Sequence, residues 1–247
     1  MKIVLISLET QKEKVAKKCI LMSKRFNCDV EVVWPGSDIV SDCFRCINEN
    51  YFLNKNDFIE KFDALGLNRG GWYYQQFLKY MVVLDSADDS VWIVDGDSEI
   101  LNERIFDINT VFTTGNLVHA PYNNHIKKYM DGRLSSLSYV TNQMLFSRRK
   151  LDMMLREFYP GDWIHSILVG IDEENAQFSE YQTYAQYLLN LGLRSREIKV
   201  FRRMDLLWRW TSLIYRKYDV VSWESHKSGL LRVVRANIFY LFGRTLG

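Results

Sequence analysis

The chain has 247 residues, 47% of them hydrophobic and 25% charged, with a net charge of +2 from 32 basic and 30 acidic side chains. These values exclude a disordered, collagen-like or solenoid protein and leave room for one full hydrophobic core. No apolar run approaches the roughly 18–20 residues of a membrane span, and the apolar run at residues 2–8 is too short for a signal-peptide core and leads straight into Glu9; the expectation is a cytoplasmic protein.

Residues 2–8 form a near-continuous apolar, β-branched run, the pattern of a strand buried on both faces of a parallel sheet. Val15, Cys19, Ile20 and Met22 then fall at helical spacing, and residues 29–34 predict a second strand closed by Pro35-Gly36. This βαβ opening predicts an α/β fold with a mostly parallel sheet flanked by helices. It carries neither a G-x-G-x-x-G turn nor a G-x-x-x-x-G-K-[ST] loop, so neither a dinucleotide-binding oxidoreductase nor a P-loop NTPase is supported.

Residues 37–65 predict mainly helix. Four cysteines (Cys19, Cys28, Cys43, Cys46) make no disulfide scaffold, and the single C-x-x-C at Cys43 and Cys46 has no second pair at zinc spacing. Two reduced thiols on one helical segment are expected there. Helical periodicity resumes at residues 72–81, directly after Arg69, Gly70 and Gly71. A glycine pair ahead of a helix N-terminus permits close backbone approach to an anion, which makes Gly71 a candidate contact for a phosphate.

Residues 91–94 predict a short, fully apolar strand that ends in Asp95-Gly96-Asp97. Further strands are expected at 117–120 and, as an extended stretch, 139–146, followed by a helix at 149–158. Phe178-Ser179-Glu180-Tyr181 opens another helix, with Ser179 as N-cap and Tyr181, Tyr184, Ala185 and Leu188 at helical spacing. Residues 230–242 close the chain as a basic amphipathic helix too short to span a bilayer.

The most informative group is Asp95-Gly96-Asp97. Ligands of open parallel sheets bind outside the carboxyl ends of strands, and two carboxylates separated by glycine suit a hard divalent cation that also touches phosphate. Two acids at a strand end with no basic neighbour in sequence are unfavourable unless solvated or metal-bound; a solvated acidic turn is the competing explanation. Arg69 and Lys79 offer charge for a diphosphate or acceptor phosphate, and Gln76 and Lys79, three residues apart, share a helix face. Trp72 and Tyr73 offer stacking for a base or sugar, with aromatic core packing as the alternative. His119, His125 and His165 carry no ligand pattern of their own.

The N-terminal strand, the βαβ opening and the strand ending in D-x-D resemble the GT-A fold of nucleotide-sugar glycosyltransferases. The string Gly71-Trp72-Tyr73-Tyr74-Gln75-Gln76-Phe77-Leu78-Lys79, the D-x-D strand and Phe178-Ser179-Glu180-Tyr181 resemble a group of small bacterial GT-A enzymes tied to surface-polysaccharide synthesis. That resemblance implies a hexosyltransferase-type enzyme that uses Mn²⁺ or Mg²⁺ and a nucleotide-diphosphate sugar donor. The acceptor would be a glycan or lipid-linked glycan of lipopolysaccharide, O-antigen or capsule. It implies Asp97 as the first metal ligand, Asp95 in donor binding with metal ligation as a second role, and His226 as a further ligand. Glu180, at a helix start, would be the base that deprotonates the acceptor; a first-turn acid favoured by the helix dipole is the plain alternative. Both inverting and retaining outcomes stay open.

Charge is unevenly distributed: residues 194–247 hold 12 basic and 4 acidic side chains, leaving 20 against 26 before them. Residues 1–205 are expected to form the catalytic domain and 206–247 a basic, aromatic extension of the same unit. The extension suits peripheral attachment to the anionic inner face of the plasma membrane, or packing against the domain. No nucleic-acid motif is present and the first part of the chain is acidic, so no nucleic-acid partner is expected. Two other classes remain: a haloacid-dehalogenase-like phosphatase, in which Glu99 would occupy the position of the expected Thr, and a non-catalytic membrane- or nucleic-acid-binding module.

Overall fold

The computed structural model describes residues 2–7, 12–28, 30–42, 44–100, 107, 109–172, 177–203 and 219–223. Strand β1 (Lys2–Ile6) sends Ile3 and Leu5 to one face and Val4 and Ile6 to the other, all buried. A strand with both faces covered lies inside a sheet, so alternation that reads as a continuous apolar run is what a central parallel strand requires. Helix α1 (Lys12–Phe26) crosses over to β2 (Val30–Trp34), which pairs in parallel with β1, Ile3 facing Val30.

The chain then makes β3 (Ile39–Val40) and β4 (Phe44–Asn48), a single 3-10 turn, and helices α2 (Lys55–Ala64) and α3 (Gly70–Asp85). Strand β5 (Ser90–Asp95) returns beside β1 and is followed by β6 (Ser98–Ile100), β7 (Thr110–Thr113) and α4 (Ala120–Ile126). Strand β8 (Gln143–Ser147), α5 (Arg148–Phe158), α6 (Trp163–Val169) and α7 (Glu180–Asn190) come next. β9 (Arg194–Glu197), β10 (Val200–Arg203) and β11 (Val220–Trp223) complete the described elements.

The six-stranded sheet runs β3-β4-β2-β1-β5-β8. Its four inner strands are parallel and its two edges antiparallel, so the protein is α/β with a mostly parallel sheet flanked by helices. One face packs against α2, α3, α5 and α7; the other packs against α1, against Ile100, Phe112 and Val220 of the smaller sheets, and against Ile198 between β9 and β10. Helix α3 is buried nearly all round, as a helix inside the larger core layer must be. Among the described residues no helix is long and apolar enough to cross a membrane.

Three sequence expectations change, and a fourth falls outside the described residues. Residues 44–48, expected to be helical, form β4 of the main sheet and carry Cys46 into it, while Cys43 lies outside the described residues. Five residues with one outward Arg45 fit either period, and only pairing with β2 decides. Residues 117–120 form no strand: Leu117 makes one isolated bridge to Leu137 and stands exposed, and Ala120 begins α4. Gly70 and Gly71 do not precede α3 but are its first two residues, behind Arg69 in the left-handed region (φ 72°). The amphipathic helix expected at 230–242 lies outside the described residues.

Between α4 and β8, residues 133–139 run beside α7, where Gln186 accepts from the Ser135 N–H and donates to the Arg133 carbonyl. Gln182 accepts from the Tyr139 N–H and donates to the Leu137 carbonyl. Two glutamines one helical turn apart thus satisfy alternate backbone groups of a strand-like segment, much as a neighbouring strand would. This anchors the chain that delivers Asn142 to the sheet.

Candidate functional site

Asp95 is the last residue of β5, level with Ile6 of β1. Val91 and Ile93 face the helical layer of α3 and α7, and the two-residue period of the strand turns Asp95 to that same side. Its Oδ1 accepts from Lys79 Nζ at 2.6 Å and from the Tyr181 hydroxyl at 2.7 Å. Lys79 comes from the middle of α3 and is 5% exposed; its Nζ also lies 2.5 Å from Oε1 of Glu180, the first residue of α7, which is 1% exposed. The same ammonium sits 4.2 Å from the centre of the Tyr181 ring, a cation–π contact. Tyr80 secures the start of α7 by donating to the Glu180 carbonyl at 2.8 Å.

The electrostatics follow from burial and pairing. Burial alone would lower the pKa of Lys79, but Asp95 and Glu180 together outweigh it and hold the side chain as an ammonium, its pKa raised. Burial, reinforced by the charge of Asp95, raises the Glu180 pKa against the pull of Lys79. Glu180 Oε2 is buried with no hydrogen-bond partner. A buried carboxylate oxygen left unpaired is costly, so this atom has capacity for one further hydrogen-bond donor.

Gly96 explains why the residue between the two acids is glycine. Its N–H donates to the Ile6 carbonyl at 2.6 Å, and a Cβ there would lie 2.6 Å from that oxygen and from Ser7 Cα. Only a residue without a side chain lets the turn lie against the end of β1. Asp97 follows, half-buried, its Oδ1 accepting from the Ser98 hydroxyl at 3.2 Å. On the other side of Asp95, its N–H donates to the carbonyl of Asn142, a residue at φ 62° whose Nδ2 donates to Ser222 and whose Oδ1 is buried without a partner. Ser222 pairs with Ser98 across β11 and β6. β11 therefore delivers the chain to the Asp97 end of β6 three residues before His226, which itself lies outside the described residues.

The structure brings Asp95, Lys79 and Glu180 into one buried cluster, with Asp97 two residues beyond Asp95. Gln76, also buried, stands just under one turn before Lys79 on α3. Arg69 and Trp72 do not join the cluster: ten residues of helix put Arg69 about 15 Å from Lys79 along the α3 axis, and its guanidinium stacks 5.0 Å from the Trp72 ring centre. Gly70 is explained by packing, since a Cβ would meet Ile59 at 2.8 Å, whereas Gly71 faces open space. The absence of a basic neighbour beside the acids, inferred from sequence, is corrected by Lys79, which α3 supplies from sixteen residues upstream of Asp95. Tyr181 and Asn142 carry no sequence signal of function: Tyr181 fits core spacing on α7, and the positive φ of Asn142 depends on its loop.

Among the described residues no group of three or more His, Cys, Asp or Glu is placed to hold a metal. Asp95 and Asp97 nevertheless suit one in donor type, because a hard cation such as Mg²⁺ is commonly held by one or two carboxylates, with waters and substrate phosphates completing its shell.

No family model matches the chain, and no curated protein matches it significantly. Among solved structures, the galactosyltransferase LgtC in complex with donor and acceptor sugar analogs is similar at a TM-score of 0.49 and 14% identity, over 91% of this chain and 87% of that one. An active-site mutant of LgtC gives 0.46 and 15% over 91% and 88%. A glycosyltransferase involved in glycosylation of the major capsid of PBCV-1 gives 0.37 and 10% over 96% and 98%. Likeness of this degree carries no argument about activity; the α/β class rests on the sheet itself.

Proposed function

We propose that this chain is a nucleotide-sugar glycosyltransferase that uses a divalent cation at Asp95-Gly96-Asp97 and elongates a bacterial surface glycan. The observation that carries the reading is the convergence of the D-x-D turn, at the carboxyl end of a central parallel strand, with the buried carboxylate of Glu180. The specific Gly-Trp-Tyr-x-Gln-Gln-x-x-Lys and Ser-Glu-Tyr strings agree with it, since the first contributes Lys79 and the second Glu180 and Tyr181 to that cluster.

In this reading Asp97 would be the principal ligand for Mn²⁺ or Mg²⁺, with Asp95 as a second ligand and His226, beyond the described residues, as a third. The bound cation would stabilise the charge that develops on the leaving diphosphate. Glu180 is assigned as the base for the acceptor hydroxyl, with Oε2, the oxygen Lys79 does not hold, as the accepting atom; burial raises its pKa, the direction a base needs, and the same burial means that the residues covering Oε2 must part when acceptor binds. Lys79 balances two carboxylates, so it is assigned to the architecture of the site and not to the diphosphate. Arg69, Gly71 and Trp72, at the start of α3, are left as donor contacts beyond the cluster, with Gln76, buried three residues before Lys79 on the same helix, as a further one. Residues 1–205 would form the catalytic unit and the basic segment 206–247 would attach it to anionic membrane at the cytoplasmic face, near lipid-linked acceptors.

The test is thermal stability of wild type and Asp97→Ala against nucleoside diphosphates and sugar nucleotides, each with Mn²⁺, Mg²⁺ or chelator. A ligand at a hundred times its Kd adds about 2.7 kcal/mol to the folded state. Stabilisation that needs both a cation and one nucleotide, and is absent in Asp97→Ala, is expected. No stabilisation by any nucleotide under any cation condition overturns the reading.

A further inference from the structure

Lys79 is the one cation in the described cluster, and it divides its charge between Asp95 and Glu180 at nearly equal distance, 2.6 and 2.5 Å. It is 5% exposed, so its bond to Glu180 is shielded from bulk water while its bond to Asp95 lies at the open side of the cluster. On the transferase reading, a divalent cation at Asp95 and Asp97 would stand within a few ångströms of this ammonium, and two positive charges so close oppose each other strongly in a water-poor site. Asp95 is the more exposed carboxylate, its side chain 23% accessible, while that of Glu180 is 1% accessible. A cation arriving from solvent therefore meets Asp95 first, and Glu180 is the partner to which Lys79 can retreat without leaving its pocket.

We propose that Lys79 is a positioning residue that yields Asp95 to a divalent cation and turns fully onto Glu180, so that cation binding at the D-x-D turn is transmitted to Glu180. The cation–π contact with Tyr181 gives the ammonium a surface to pivot on, since the ring lies against Lys79 and its hydroxyl reaches Asp95. This inference rests on the transferase reading for the presence of a cation, but it concerns Lys79, for which a diphosphate-binding role makes the opposite prediction about metal alone.

Coupling of this kind is reciprocal: whatever Glu180 feels from the cation, the cation feels from Glu180. The experiment is binding of Mn²⁺ alone, without nucleotide, followed by the EPR signal of free Mn²⁺, to the full-length protein and three variants. Glu180→Gln keeps the shape of the side chain and leaves the whole charge of Lys79 on Asp95, so Mn²⁺ binding weakens. Adding Lys79→Met to Glu180→Gln removes the opposing charge and strands no buried ion; Mn²⁺ then binds roughly tenfold or more tightly than to Glu180→Gln. Equal affinity in these two variants, or an unchanged affinity in Glu180→Gln relative to wild type, overturns the proposal. Asp97→Ala separates the metal site from the role of Lys79. Mn²⁺ bound by wild type and lost in Asp97→Ala, with the Lys79 and Glu180 variants alike, leaves the metal site standing and removes the role of Lys79. Mn²⁺ that wild type does not bind, or that Asp97→Ala binds equally well, removes both.

Discussion

Lys79 and Glu180 stand 101 residues apart in the chain and 2.5 Å apart at Nζ and Oε1, both enclosed by the core. Such a pair contributes less to net stability than its geometry suggests, because desolvation offsets much of the attraction, but breaking it strands a charge. Lys79→Met is expected to cost about 3–5 kcal/mol, and the double variant with Glu180→Gln is expected to recover most of that loss. Urea unfolding of the two single variants and the double variant measures it; additive losses would show that the two side chains act separately.

Tyr181→Phe isolates a single bond. The ring remains against Lys79 while Asp95 loses one of the two donors on Oδ1. A hydrogen bond to a charged group is worth about 1.5–3 kcal/mol, and a fall of that size in unfolding free energy, with unchanged far-UV circular dichroism, is expected. A loss below the precision of the measurement would mean that Lys79 alone holds Asp95.

The glycines of the two motifs respond with opposite signs. Gly96→Ala pushes a methyl group to 2.6 Å from the Ile6 carbonyl oxygen and Ser7 Cα, both parts of the backbone that cannot swing aside; a loss of about 1–3 kcal/mol follows. Gly71→Ala meets nothing within 4 Å and removes unfolded-chain freedom, so it stabilises by about 0.5–1 kcal/mol. Melting temperatures of the two variants decide this, and destabilisation by Gly71→Ala would reveal a constraint at the start of α3.

His125 makes stability depend on pH. It is wholly buried among Tyr129, Tyr159 and Phe178, with Nδ1 against the Gly170 carbonyl and Nε2 unpartnered. Burial, with a smaller push from Lys128 against the pull of the Gly170 carbonyl and Asp172, lowers its pKa to about 4. The unfolded chain takes up a proton near pH 6.5 and the folded one only near 4, so stability is lost as pH falls through that window, by about 3 kcal/mol in all. Unfolding free energy measured between pH 7 and 4 should show this slope, and His125→Phe should flatten it; an unchanged slope would place the titration elsewhere.

How much of the fold and the site was legible beforehand depends on the range of the interaction. The strand at 91–94 and its acids could be read because their pattern lies within a few residues, and so could the Ser179 cap, whose hydroxyl accepts from the Gln182 N–H in the next turn. The strand at 44–48 could not, because five residues with one charged side chain satisfy two periods at once and only β2 beside them chooses. Asn142 belongs with the second kind: its positive φ lies in a loop just past the segment that Gln182 and Gln186 hold from α7.

The sequence by itself determined the α/β class, the βαβ opening and Asp95 and Lys79 as side chains worth attention, since alternation, helical spacing and short motifs are local properties of a chain; Glu180 was singled out by the family resemblance. Only the tertiary structure decided that Lys79 serves as counter-ion to the other two, that Tyr181 joins them and that Arg69 and Trp72 stand apart. Those outcomes depend on which face of β5 meets α3 and α7, and burial in that shared layer turns three separate charges into one network.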